Sequence, residues 1–377
     1  MNSCDVLVRG NGLVGHALAL SLARIGLRVA LQPAGPAQPA DSDSRPRDDV
    51  RAFALNAASV GLLQGLKVWS SLPPHSTTAV HDMRVEGDVP GAALEFSSWE
   101  QRVGELAWIA DAALLERELA AAVRFSPHIE LVAASAAIEA PLTAVCEGKA
   151  SSSREAHGVG FDRRPYGQRA IAARLTCDRP HAGTARQWFR SPDVLALLPF
   201  DAPAPDSSYA LVWSVPDARS DELLSMSPED FDAALNDATG GAAGRLHLAS
   251  DRAAWPLLRA QADRWSGAGW VLVGDAAHVV HPLAGQGLNL GLADVQALTD
   301  VLAARESWRG VGDERLLRRY ERRRLAATRA MVEITDGLLH LFAHPAPAVR
   351  ELRNRGLTLV NQWSLLKRWL SAQATRG

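Results

Sequence analysis

At 377 residues, 47% hydrophobic and 22% charged, the chain is long enough for two domains and has the composition of an ordinary globular protein. A formal charge of −2 gives no general electrostatic reason to bind nucleic acid. Cys4, Cys146 and Cys177 are too few and too scattered for a disulfide framework or a metal centre.

Arg24 and Arg28 interrupt the N-terminal apolar run, so neither a membrane span nor a signal peptide is expected, and the protein is read as cytoplasmic. Cys4 to Arg9 predicts a first strand, although an arginine at its end is unexpected. Gly10-Asn11-Gly12-Leu13-Val14-Gly15 follows, then a helix from Ala17 to Ile25 closed by Gly26, then a strand from Leu27 to Leu31. G-x-G-x-x-G at a strand-to-helix turn suits a dinucleotide phosphate resting on a helix N-terminus. It does not choose between NAD and FAD. The acid that normally holds the adenosine ribose is replaced by Gln32-Pro33, which leaves the Gln32 amide to hydrogen-bond a hydroxyl.

Pro33 to Pro46 reads as a surface loop. Arg51-Ala52-Phe53-Ala54-Leu55-Asn56 is expected to lead a helix through Leu62, Leu63 and Leu66. Val80 to Phe96 reads as short strands and turns, and Leu106 to Asp111 precedes an amphipathic helix, Ala112 to Arg124. A brief alanine-rich passage, Ile129 to Val145, leads into Cys146-Glu147-Gly148-Lys149-Ala150-Ser151-Ser152-Ser153-Arg154. Alternation then predicts strands at 170–175, 184–189, 194–200 and 209–215, with Ser227 capping a short helix to Leu235.

Trp270 to Val273 is a buried strand, Gly274 to Gly291 a loop rich in glycine, and Leu292 to Ala303 a helix with Asp294 and Asp300 facing out. Asp275, at the strand's end, can accept ribose hydroxyls. His278 and His281 read as satisfied loop histidines and not as general bases. The arginine run from Arg318 to Arg324 reads as the solvated face of a helix spanning Asp313 to Glu333. A last helix with Leu357, Trp363, Leu366 and Trp369 on one stripe packs on the core, on a partner or on a membrane.

The string Gly274 to Gly291 resembles the second FAD fingerprint of the single-component aromatic hydroxylases, the family that includes p-hydroxybenzoate hydroxylase. It is most similar to the ubiquinone-biosynthesis branch. Gly10 to Gly15, Arg51 to Asn56 and Glu147 to Arg154 resemble the family's other motifs in the same order, with Glu147 in place of an aspartate. The resemblance implies an α/β fold: a Rossmann-like FAD-binding domain with an inserted antiparallel-sheet substrate domain and a helical C-terminus. FAD binding falls to residues 1–66, 104–157 and 266–345, the substrate domain to 67–103 and 158–265, and a C-terminal helix to 346–377.

What the resemblance implies for function is an FAD-dependent monooxygenase that hydroxylates a polyprenylated phenol or quinol in ubiquinone biosynthesis. NADPH or NADH binds transiently, O2 is the co-substrate, and a flavin C4a-hydroperoxide delivers the oxygen. Gly10, Gly12, Gly15, Gln32, Arg51, Asp275, Gly285, Gly287, Leu288 and Asn289 then hold the cofactor, with Pro282, Gly287 and Leu288 at its reacting face. A lipophilic aromatic substrate fits contact with a ubiquinone-biosynthesis complex or with the inner face of the membrane. Two other readings stand beside this one: a hydroxylase of a small soluble aromatic, and a non-catalytic flavin- or quinone-binding subunit. The second is motivated by the departures at Arg9, Gln32-Pro33 and Glu147 and by the short segment before Glu147.

Overall fold

In the computed structural model, which describes residues 4–34, 49–87, 93–281 and 286–343, the chain opens with β1 (Val6–Arg9), α1 (Leu13–Arg24) and β2 (Val29–Gln32). β1 and β2 pair in parallel from Val6 with Val29 to Arg9 with Gln32, which makes α1 a crossover helix. The turn into α1 needs glycine. Gly10 sits at φ +110, and a Cβ on Gly15 would strike the Gly10 carbonyl.

Arg51 to Asn56 does not begin a helix. Ala52–Leu55 form β3, and Asn56 caps α2 (Ala57–Gly65) by accepting from the Ser59 N–H at 2.8 Å. β4 (Thr77–Val80), β5 (Asp82–Glu86), β6 (Ala93–Ser97), the single turn α3 (Ser98–Gln101) and β7 (Ala107–Asp111) follow. Asp111 then accepts from the Leu114 N–H at 2.9 Å and starts α4 (Ala112–Arg124), which buries Leu115, Leu119 and Val123 along one stripe. The alanine-rich passage becomes two short strands, β8 (Ile129–Leu131) and β9 (Leu142–Val145), and α5 (Ser152–Ala156) comes next.

β10 (Phe161–Cys177) is long and shifts register between Pro165 and Gln168, where Gly167 takes φ +67. β11 (Thr184–Arg190), β12 (Asp193–Phe200) and β13 (Ser208–Pro216) continue the alternating block. α6 (Asp217–Ser225) was not expected. α7 (Pro228–Thr239) starts at its Ser227 cap, and β14 (Leu246–Leu248) and β15 (Ala253–Ala262) complete the block. β15 escapes a period-two reading because Pro256 and Arg259 interrupt it, yet it pairs with β10 from Phe161 to Ala172. β16 (Ser266–Gly267), β17 (Trp270–Leu272), a 3₁₀ turn Gly274–Ala276, β18 (His278–Val279), α8 (Gln286–Ala303) and α9 (Glu314–Ala343) end the described chain.

Three sheets result. One has the order β16-β17-β9-β1-β2-β8, parallel from β17 to β8; a second runs β18-β15-β10-β13-β12-β11-β5-β6 with β14 beside β10; a third is β3-β7-β4. The last lies against the second. Arg174 of β10 ties the two together, donating to the Arg51 carbonyl at 2.9 Å and to Asp111 at 2.8 Å. Pro282, Gly285, most of the expected Pro33–Pro46 loop and the expected C-terminal helix at 346–377 lie outside the described residues. No described helix is long and apolar enough to cross a membrane.

α8 corrects one expectation. It begins at Gln286, so Gly287 to Gly291 are already helical, and Asp294 faces inward with no exposed surface. One Asp294 oxygen accepts from the Gly274 N–H at 3.0 Å and from His278 Nε2 at 2.7 Å; the other accepts from Arg324 Nε at 2.7 Å. Arg324 is therefore a buried partner within the arginine run, whereas Arg322 and Arg323 stay exposed. Burial alone would raise the Asp294 pKa, but His278 and Arg324 outweigh it and hold the carboxyl below its ordinary value.

Replacing Asp294 with alanine strands three donors in the core and is expected to cost about 3–5 kcal/mol, read by urea unfolding. A pKa lower in the fold than in the unfolded chain contributes stability that is complete above about pH 4 and lost as pH falls through the folded value. The difference in unfolding free energy between wild type and Asp294→Asn is accordingly expected to shrink on acidification.

Candidate active site

The C-terminal ends of the parallel strands and the start of α1 form the first half of the site. α1 has no acidic residue in its first turn and no side-chain cap at Gly12, so its leading N–H groups are left for an outside acceptor. A Cβ on Gly12 would meet nothing within 4 Å, whereas Gly10 and Gly15 are needed for packing against Cys146 and against each other. An open backbone at an uncapped helix start is a fitting seat for the diphosphate of a dinucleotide.

Gln32 is buried, and its side-chain nitrogen donates to the carbonyls of Ala133, Ala134 and Ala136 at 3.1, 3.2 and 2.8 Å. Its amide nitrogen thus anchors the loop after β8 and is not left for a ribose. The two other departures meet. Arg9 Nε lies 3.3 Å from Glu147 Oε1, and the Glu147 side chain is only 2% exposed. Glu147 also accepts from the Ser151 hydroxyl at 2.8 Å, the Ser153 N–H at 2.9 Å and the Ser153 hydroxyl at 2.7 Å. The longer acid is held by an arginine from the neighbouring strand, so each departure explains the other. Arg154, fully buried, donates to the carbonyls of Ala276 and Lys149 at 3.1 Å each and stacks on Phe161. It fastens the loop of Glu147 to the turn that carries Asp275.

The second half is built by α8. Gly287, Leu288 and Asn289 lie in its first turn, where N–H groups have no acceptor within the helix. A Cβ on Gly287 would meet open space, while one on Gly291 would press into Val14 and push α8 off α1. The Asn289 side chain is spent as a clip: its oxygen accepts from the Asn56 N–H at 3.1 Å and the Ser59 hydroxyl at 2.8 Å, and its nitrogen donates to the Ala54 carbonyl at 2.8 Å. Its backbone amide remains in the first turn, but the side chain docks β3 and α2 onto α8. Asp275 faces the same space. Burial pushes its carboxyl up, with His278 and Lys149 opposing.

These groups border a cavity of about 290 Å³ between the second and third sheets, open to Asp275, Gly287 and Leu288 at one end. Arg51 reaches this cavity, gripped by Asp49 at 2.7 Å and lying over the rings of Phe53 and Trp255. His281 lines it too, with Tyr166 edge-on to its ring at 5.1 Å. His278 does not; it is packed against Trp265 and held by Asp294. Lys149 falls within the Glu147 to Arg154 string without a role of its own, and Trp255 carries no motif that marks it.

A double-mutant cycle on Arg9→Ala and Glu147→Gln, followed by chemical unfolding, is expected to give a coupling energy of about 1–2 kcal/mol. That is above an exposed pair because Glu147 is buried and below a fully buried one because Arg9 is partly exposed.

A protein-family model described as an FAD binding domain matches residues 126–335, more than half of the chain. The 3-demethoxyubiquinol 3-hydroxylase of Escherichia coli (strain K12) is 31% identical over 97% of this chain and 96% of its own. Ubiquinone hydroxylase UbiL of Rhodospirillum rubrum is 30% identical over 97% of this chain and 87% of its own. Among solved structures, p-nitrophenol 4-monooxygenase PnpA from Pseudomonas putida DLL-E4 superposes with a TM-score of 0.76, covering 99% of this chain and 98% of that one at 17% identity, a likeness of fold. An uncapped glycine turn, a glycine-started helix facing an apolar cavity and these matches agree: the chain belongs to the FAD-binding domain family of flavin-dependent aromatic-ring monooxygenases.

Proposed function

We propose that this chain hydroxylates a prenylated phenol or quinol on the route to ubiquinone, using a reduced nicotinamide, NADPH or NADH, and O2. The observation that carries this reading is the cavity at the head of α8, which is lined mainly by apolar side chains and suits a lipophilic ring better than a charged one. The names of the two ubiquinone-pathway relatives support it over most of their length.

FAD supplies the redox and oxygen chemistry when bound. The chain's own residues bind, orient and exclude water. Gly10, Gly12 and Gly15 let backbone amides approach the diphosphate. Asp275 accepts ribityl or ribose hydroxyls, Arg51 lies at the cavity's edge near the phosphates, and the Gly287, Leu288 and Asn289 amides stabilise negative charge on the flavin ring. Pro282 and Gly285 belong to the same loop in this reading. It also keeps the segmentation into cofactor-binding parts (1–66, 104–157, 266–345), substrate parts (67–103, 158–265) and a C-terminal helix (346–377). In the same reading that last segment is the part that rests on the inner membrane face or on a biosynthetic complex.

The experiment is anaerobic addition of NADPH to the FAD-loaded protein, followed by air and a prenylated phenol, with the product identified by mass. Bleaching, recovery and a gain of one oxygen atom are expected. Flavin that recovers without product, together with turnover of an unprenylated aromatic, refutes the substrate. Gly12→Ala tests the cradle separately. Its Cβ meets nothing in the folded chain, so the thermal stability of the flavin-free protein is expected to stay unchanged while FAD affinity, read by flavin fluorescence, falls tenfold or more.

A further inference from the structure

The two faces of the large sheet differ in a way that packing alone does not require. On the back, against α6 and α7, β10 to β13 carry Ile171, Trp188, Leu195, Leu211 and Trp213, all fully or almost fully buried. On the front the same strands carry Ala170, Ala172, Ala185 and Ala196 among Val194, Leu198 and Val212, and these line the cavity with Gln187 and Ser214. Alternation along a strand sends neighbours to opposite faces, so large side chains fill one side while small ones leave the other open.

Two of these alanines lie in one row across the strands, with Val212 between them and Gln187 beyond. Ala172 stands opposite Val212, Val212 opposite Ala196, and Ala196 opposite Gln187. Ala185 stands opposite Met83 of β5 in the next row. From β15, near the start of α8, to β5 is five strand spacings, about 24 Å. That is much longer than a single aromatic ring. The roof from the third sheet brings Ala52, Ala54 and Ala107 together with Phe53 and Ile109. At the far end the packed cluster of Val80, Ile109 and Phe200 closes the passage, with Met83 against it. Methionine is unbranched and can move aside, which suits an adjustable stop.

We propose that this lane seats a lipophilic chain attached to the substrate ring: the ring lies by Gly287 and Leu288, the chain crosses Ala172 and Ala196, and Met83 sets the length accommodated. The proposal rests on the ring-hydroxylation reading above and adds where the tail goes and which residues measure it. Each methylene laid along the lane leaves water for an apolar wall, so affinity grows with chain length until the lane is full.

The test is titration calorimetry of the FAD-loaded protein with 4-alkylphenols from ethyl to hexadecyl, run beside hydroxylation of a prenylated phenol. Each added methylene is expected to tighten binding about fourfold until the chain meets Met83. Ala196→Phe is expected to end that gain at a shorter chain and Met83→Ala to extend it. Should Ala196→Phe fail to fold, Met83→Ala alone decides. Affinity independent of chain length in the wild-type protein, or a substitution penalty equal at every length, overturns the lane. Length-dependent binding without hydroxylation of the prenylated phenol keeps the lane and refutes the proposed substrate. Hydroxylation without length dependence does the reverse.

Discussion

One buried carboxylate organises the cofactor-facing half of this molecule. Asp294 has no exposed surface, and a charge so placed is tolerable only when its oxygens are met by donors. The donors come from three places: the Gly274 N–H at the start of the second fingerprint, the His278 ring within it, and Arg324 on α9. The carboxylate sits on α8, two turns from the glycine at that helix's head. The loop that presents Asp275 is therefore held from behind by the same helix whose first turn faces the cavity. Tyr320, one turn before Arg324, donates to the Leu272 carbonyl at 2.9 Å and pins the preceding strand as well.

A second clip works at right angles to the first. Asn289 spends every polar atom of its side chain on the Ala54 carbonyl, the Asn56 N–H and the Ser59 hydroxyl. β3 forms part of the cavity roof, so the distance between roof and helix head is set by one amide. Arg174 supplies the matching tie at the far end, joining the floor strand β10 to the Arg51 carbonyl and to the cap of α4. Floor, roof and helix head are thereby fixed to one another by three polar side chains, and the space between them can be left apolar. A cavity without such struts would collapse, because empty apolar volume forfeits dispersion contacts on every side.

Much of this was legible in the sequence, and the misses have physical causes. The crossover β1–α1–β2, the Asp111-capped helix and the four strands of the alternating block follow from local patterns of period and cap. Asp294 was read as outward because an aspartate in an apolar helix is usually solvated; its partners, sixteen to thirty residues away, are invisible to a helical period. The same limit hid the sense of Arg9 and Glu147. Each alone is a departure from a motif, and only the parallel pairing of β1 with β9 shows that they meet as an ion pair. Gln32 looked like a weakened ribose ligand, yet its nitrogen is committed to three carbonyls of a loop about a hundred residues on.

The cavity itself shows why function is harder to read than fold. Alternation announces that β10 to β13 have a buried face, and both of their faces are buried here, one by helices and one by the third sheet. Nothing local says which of two buried faces is filled. The distinction lies in size: alanines at 170, 172, 185 and 196 belong to strands separated in sequence and share one surface only through the register, which sets Val212 between Ala172 and Ala196. A run of alanine in any single strand would suggest weak packing. Four on one face of one sheet, with leucines and tryptophans that pack tightly on the reverse side, mean that the missing volume belongs to something the chain is shaped to receive.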